Sequence, residues 1–235
     1  MSPVGRVFTD THAAMSVDSE AEIFLDDDTR VRILRALFSA YYADKGADVI
    51  FDNNRRWTAN ADLLMTLFPM SRIICCVRDP KAIVDSFERL LRSHPLAVSK
   101  IIGMQSNLNV YSRFDHYMSA EGVLGFAYYA LRDAFWGPAK DRLLFIEYDD
   151  LSRFPKEVLE DLHKVLNLPK FKYDFENIEQ LPLTKEFDAR IGTPGLHDLK
   201  GKVVYEPRTT ILPPDIYNRV PGPFWRVNKE ATKAP

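Results

Sequence analysis

Between Val77 and Phe87 the sequence reads VRDPKAIVDSF. An arginine closes an apolar run, and a serine follows eight residues later on an amphipathic one. A guanidinium offers a planar fork of donors that suits a phosphate bidentately and keeps its charge at any physiological pH. A hydroxyl on the following helix can donate to the same oxyanion, so Arg78 and Ser86 can grip one phosphate from two directions. The alternative is structural: Arg78 pairs with a neighbouring acid, and Ser86 is a helix-border residue. Two more polar groups follow apolar runs: Asp52-Asn53-Asn54-Arg55-Arg56 after residues 47–51, and Tyr148 after residues 143–147. The five histidines (12, 94, 116, 163 and 197) and the adjacent Cys75 and Cys76 lack zinc-like spacing, so no metal is expected.

These groups need elements to hold them. Residues 1–28 have weak periodicity. Val31, Leu34, Leu37, Phe38 and Tyr41 recur at helical spacing, with Asp28 or Thr29 as cap and Lys45-Gly46 as stop. A short strand is expected over 47–51 and a helix over 58–67. A second strand, apolar throughout, is expected over 72–77. Asp79-Pro80 then reads as an N-cap followed by a proline at the first helical position. Ile83, Val84, Phe87, Leu90 and Leu91 make that helix's apolar stripe. Residues 95–118 are mixed. A long aromatic-rich helix is expected over 119–136, a third strand over 143–147 and a helix over 155–166. Beyond 170, proline and glycine are frequent and the pattern is irregular.

Strands alternating with helices predict an α/β fold, a parallel β-sheet flanked by helices with right-handed crossovers. Ligands in such sheets sit beyond the carboxyl ends of the strands, where the three polar groups fall. The 235 residues suffice for one large domain, 1–235, with an α/β core over 30–169. A net charge of −2 gives no bulk attraction to nucleic acid or an anionic membrane, so anion binding must come from a few placed residues. No run approaches the ~20 apolar residues of a membrane span. No signal-peptide pattern opens the chain. Two neighbouring cysteines on opposite faces of a strand make an unsuitable disulfide, which favours a reducing, cytoplasmic setting.

Arg78-Asp79-Pro80 followed by Ser86 resembles the 3′-phosphate-binding motif of sulfotransferases, which use 3′-phosphoadenosine 5′-phosphosulfate (PAPS). Two further stretches are similar to the same family. One is Glu147-Tyr148-Asp149-Asp150-Leu151 and the helix after it. The other is Gly195-Leu196-His197-Asp198-Leu199-Lys200-Gly201-Lys202-Val203, which resembles a C-terminal stretch of a bacterial subgroup. The resemblance, over most of 30–215, implies a P-loop NTPase-like sulfotransferase fold. It implies that Arg78 and Ser86 hold the 3′-phosphate. Tyr148 is then the candidate to pack on adenine, or else an aromatic packing on the core. His197, Lys200 and Lys202 make a basic loop over the nucleotide, or else a solvated turn, within an irregular covering region over 170–235.

The sequence departs from the family pattern in two places. No Gly/Ser-rich loop for the 5′-phosphosulfate is visible. Gly5-Arg6 is followed by Val7-Phe8-Thr9, so the fold is expected to be N-terminally incomplete and the chain poorly active alone. Where many members carry a catalytic lysine, residues 51–57 read Phe-Asp-Asn-Asn-Arg-Arg-Trp. Asp52 is the candidate base and Arg55 or Arg56 the cation; a solvated turn is the alternative. His12 and Glu22 fall where acceptor contacts occur but read as surface loop. Trp57, Tyr128, Tyr129, Phe135 and Trp136 can line an acceptor pocket or fill the core. The acids at 174–179, Glu186 and Asp188 read as surface charge. The expected reaction is sulfuryl transfer to a hydroxyl or amine of unknown acceptor. The competing expectations are a non-catalytic nucleotide- or partner-binding remnant and a nucleotide kinase-like phosphotransferase, the latter opposed by the missing Walker lysine.

Overall fold

The computed structural model describes residues 4–17, 23–96, 99–101, 109–180 and 182–226. They group into two compact units. One combines Met1–Ile73 with Asp133–Leu143, the other Ile74–Arg132 with Leu144–Pro235.

The first unit is helical. Helix α1 spans Val4–Val17 and α2 spans Asp27–Tyr42. A 3₁₀ turn, Arg55–Asn60, leads into α3, Ala61–Leu67. Residues 1–28, which show weak periodicity, nevertheless supply α1, because Val4, Phe8 and Met15 fall on one face and all three are buried. His12 therefore sits on a helix and not in a loop; Glu22 lies outside the described residues. Asp26, not Asp28 or Thr29, caps α2 by accepting the Thr29 N–H at 2.7 Å. The core is aromatic. Phe8 is fully buried and meets Phe38 and Trp57 at centroid distances of 5.3 and 5.7 Å, and Phe38 meets Phe68 at 5.0 Å. Gly5 allows a close approach: a Cβ there would lie 1.8 Å from Asn54 Nδ2 and would displace that side chain. Asn54 in turn caps the 3₁₀ turn by accepting the Arg56 N–H.

Residues 47–51 form no strand. Val49, Ile50 and Phe51 are exposed, and no neighbouring strand pairs with them among the described residues. A short apolar run becomes a strand only where a partner takes its backbone groups, and that partner cannot be read from the run itself.

The second unit holds the sheet. Strands β1 (Ile73–Val77) and β2 (Leu143–Glu147) pair in parallel, with their first residues at the boundary between the units. Cys75 is buried and Cys76 exposed, as opposite faces of a strand require, and neither is in a disulfide. Helix α4, Pro80–Ser93, follows β1 with Asp79 as its cap, its carboxylate accepting the Lys81 N–H at 2.9 Å. Next come α5 (Val110–Met118), capped by Asn109, and α6 (Val123–Trp136), which starts at Val123 after a turn at Gly122. Past β2 lie α7 (Tyr148–Arg153) and α8 (Pro155–Val165). The region beyond 170 carries two helices that the sequence pattern conceals, α9 (Pro182–Arg190) and α10 (Pro214–Arg219). Val84 of α4 packs with Phe114 and Tyr117 of α5, Leu124 of α6, and Leu212, Ile216 and Val220 around α10. Burying such side chains stabilises by about 1.5–3 kcal/mol each, which holds α4 firmly behind the site it carries. The acceptor-pocket candidates divide: Trp57, Tyr128 and Phe135 are buried core, while Tyr129 and Trp136 are about half exposed.

Candidate functional site

Arg78 directly follows β1, where the chain turns into α4. From α4, the positions Ile83, Ser86, Phe87, Leu90 and Ser93 all line one cleft of about 480 Å³. Their spacing of three and four is one face of a helix. Arg78 lines the same cleft. The guanidinium and the hydroxyl of the sequence motif thus share one concavity. The Arg78 guanidinium lies 4.2 Å from the centroid of the Tyr148 ring, a cation–π contact between the residues that follow β1 and β2. Its Nε is buried and has no hydrogen-bond partner among the described residues. A buried donor left without an acceptor costs about 1–3 kcal/mol, so an anion in the cleft would relieve a real deficit.

Gly195, Leu196, Asp198 and Arg208 supply the rest of the wall, together with Arg89. Gly195 adopts φ +80°, a left-handed conformation suited to glycine, and a Cβ there would press on Asp198 Oδ2 at 3.3 Å. This turn is held from behind by Asp188, which corrects its reading as surface charge. The side chain is buried, accepting the His197 N–H at 2.8 Å and His197 Nδ1 at 2.5 Å. A buried acid in the last turn of α9 is accommodated because donors from the following loop satisfy its oxygens.

The basic loop is thereby committed elsewhere. His197 turns to Asp188, and Lys200 pairs with Glu206. Lys202 is exposed, and none of the three lines the cleft. Their sequence neighbours Leu196 and Asp198 do. The Ser86 face extends one helical turn back to Ile83 and two turns on to Ser93, a signal present in the sequence. Arg208 has no local signal. At the end of β2, Glu147 accepts from Trp225 Nε1 at 2.7 Å and from the Arg226 guanidinium at 2.8 Å through both of its oxygens. The Arg226 hydrogen bond, opposed by burial and helped by Trp225, holds this carboxyl below the usual range.

Asp52, Arg55 and Arg56 belong to the other unit. Asp52 accepts hydrogen bonds from the Tyr42 hydroxyl and from Trp57 Nε1, the latter at 2.9 Å. Arg56 Nη1 donates to Thr9 Oγ1 at 3.2 Å. Asp52 is thus built into the aromatic cluster through Trp57, and no strand precedes it.

Comparison with known proteins decides the family. The family model described as "Sulfotransferase family" matches residues 6–173. The chain belongs to the sulfotransferase family. The match reaches further toward the N-terminus than the resemblance over 30–215 and stops before Gly195, so the Gly195–Asp198 turn and Arg208 lie outside it. This sulfotransferase is also similar to a solved structure titled "Sulfotransferase Domain from the Curacin Biosynthetic Pathway". The identity is 19% and the TM-score 0.43, with coverage of 68% of this chain and 55% of the other. The chain therefore spans about half the length of that solved domain. No curated protein matches it. Among the described residues of the sulfotransferase no group of three or more His, Cys, Asp or Glu could hold a metal ion, and no helix is long and apolar enough to cross a membrane.

Proposed function

We propose that the cleft beside Arg78 and Ser86 receives the 3′-phosphate of PAPS, and that the protein transfers the sulfuryl group to a hydroxyl or amine of its acceptor. One observation carries the reading: the buried Nε of Arg78 lacks an acceptor in a cleft that also presents the Ser86 hydroxyl. The fit is chemical. An always-charged fork and a neutral donor suit a dianionic phosphate monoester, while Phe87, Leu90 and Leu196 offer apolar wall to a ring beside it. When bound, the donor supplies the activated sulfuryl group. Transfer in line requires a base on the acceptor proton and cations where charge develops on the leaving oxygen. Asp52 is the candidate base and Arg55 or Arg56 the candidate cation. Tyr148 holds the Arg78 guanidinium against its face and is the candidate to pack on adenine, although it does not itself line the cleft. His197, Lys200 and Lys202 act through the loop they belong to.

The test is calorimetry with adenosine 3′,5′-bisphosphate. Arg78→Ala removes a charged hydrogen bond worth about 1.5–3 kcal/mol and weakens binding roughly tenfold or more. Adenosine 5′-monophosphate, lacking the 3′-phosphate, binds more weakly than the bisphosphate. Equal binding of the two, or tight magnesium-dependent binding of ATP, overturns the reading. For Asp52 the conservative change Asp52→Asn separates two roles. A base loses about 10²-fold or more in turnover with the thermal midpoint nearly kept. A purely structural acceptor loses midpoint and leaves the turnover of the folded fraction intact.

A further inference from the structure

Helix α4 carries two buried acids behind the cleft, Asp85 and Glu88. Glu88 is matched within the helical layer by Arg113 of α5 and by Arg92. Asp85 does something different. Its Oδ1 accepts the Ile211 N–H at 2.7 Å and the Thr210 hydroxyl at 2.9 Å, and its Oδ2 accepts Arg89 Nε at 2.6 Å. Arg89 Nη2 completes the arrangement by donating to the Thr209 carbonyl. Residues 209–211 are therefore fastened, by backbone and side chain, to the residue immediately before Ser86. The residue immediately before Thr209 is Arg208, which lines the cleft. Arg208 has one ion-pair partner among the described residues, Glu206 at 3.6 Å, and its side chain is 45% exposed. Arg89 also lines the cleft, but two of its donors are taken up and its charge is neutralised by Asp85.

We propose that Asp85 is a positioning residue of the anion site. It clips the 209–211 segment to α4 and so keeps Arg208 in the cleft wall, as a third anion-binding group beside Arg78 and Ser86. The inference rests on the reading of the cleft as a phosphate site. It adds a residue that never touches the ligand and a cation from beyond the family match. The physics is that of preorganisation. Arg208 sits in a stretch with no regular structure, and a flexible loop loses entropy when a ligand gathers it. A buried carboxylate saturated by three donors removes that freedom in advance, and it is retained although an ion out of water is costly.

The test is a double-mutant cycle read by calorimetry with adenosine 3′,5′-bisphosphate, with thermal midpoints measured alongside. Arg208→Ala is expected to weaken binding about tenfold or more, the loss of one charged contact. Asp85→Ala weakens it by a similar factor. The double variant binds no more weakly than Arg208→Ala alone, because the clip acts only through Arg208. Asp85→Asn keeps an oxygen for the Ile211 and Thr210 donors and restores most of the affinity. The midpoint behaves otherwise: Asp85→Ala lowers it with or without Arg208. Should Asp85→Ala fail to fold, Thr210→Val removes one donor of the clip and takes its place in the cycle. Multiplicative losses from Asp85 and Arg208 overturn the proposal, as does an Arg208→Ala protein that binds like the wild type. Arg78→Ala tells the two ideas apart. If it binds normally, the phosphate reading itself is wrong; if it binds weakly while the cycle shows no coupling, only the clip is wrong.

Discussion

The turn at Asp52–Arg56 and the turn at Arg78–Pro80 look alike in the sequence, each a polar stop after an apolar run, yet they are built for different ends. In the first, the polar groups are engaged by their own neighbours. Asp52 takes hydrogen bonds from Tyr42 and Trp57, Asn54 caps the next element, and Gly5 makes room for Asn54. In the second, Asp79 alone does the structural work by capping α4, and Arg78, which lines a cleft, is left with a buried, unanswered Nε. A turn that satisfies its own polar groups is a joint. One that leaves a buried donor unsatisfied beside a cleft has a group to spare for a ligand, although Arg30 Nε and the Tyr117 hydroxyl are left in the same state and neither residue lines the cleft.

The largest effect that sharpens this contrast is expected at the joint. Trp57→Ala removes a buried ring from the Phe8–Phe38 cluster and a donor from Asp52. It should cost about 3–5 kcal/mol, measured by denaturant unfolding of the first unit. A loss below ~1 kcal/mol would mean the aromatic cluster is not what holds that turn.

Arg78→Ala should show the opposite profile. Its binding loss of about 1.5–3 kcal/mol comes with little loss of stability or a gain, because truncation removes a buried nitrogen without a partner, a relief that offsets the lost contact with the Tyr148 ring. Strong destabilisation would make Arg78 a joint as well.

A smaller effect is expected in acid. Burial works against the charged form of Asp85, but the Ile211 N–H, Arg89 and Thr210 outweigh it and hold the carboxyl below its usual value. Glu147 is held low chiefly by Arg226. A depressed carboxyl contributes stability that is complete above the ordinary carboxylate range and is lost as pH falls through that range toward the lower folded value. Unfolding followed between pH 7 and about 3 should therefore show declining stability, and Asp85→Asn should flatten part of that decline. An unchanged acid limb in Asp85→Asn would show that the clip carries no net charge stabilisation.

The smallest is at Gly5. Alanine there displaces the Asn54 side chain and loosens a cap worth about 1 kcal/mol, a few degrees in the midpoint. A rise in midpoint would mean that helix propensity at this position outweighs the displaced cap.

How much of this was legible follows from the range of the interactions. The β1–α4 unit was readable because its signals are local: a proline after a capping aspartate, then a stripe at period 3.6, which also places Ser86 on the cleft face. Residues 47–51 carried the right composition for a strand but not the partner that makes one. Helix α1 hid its stripe among small and polar residues, though the Val4–Phe8–Met15 spacing was there. Asp188 and Asp85 could not be interpreted from their own neighbourhoods. The groups that give them a purpose arrive from 9 residues away in one case and 125 or more in the other. Arg208 was invisible for the same reason, since what matters is the clip that holds it.

The alternation of Cys75 and Cys76 along β1 offers a clock. Burial pushes the Cys75 thiol up to about 12, with the neighbouring Cys76 adding to the effect; burial also raises the Cys76 thiol, but that side chain is exposed and within a reagent's reach. A thiol-directed reagent should therefore mark the native protein once per chain and reach the second sulfur only when the strand opens. The lag between the two labelling events reports how often the strand that delivers Arg78 comes away from its neighbours. Nucleotide that engages Arg78 should lengthen it.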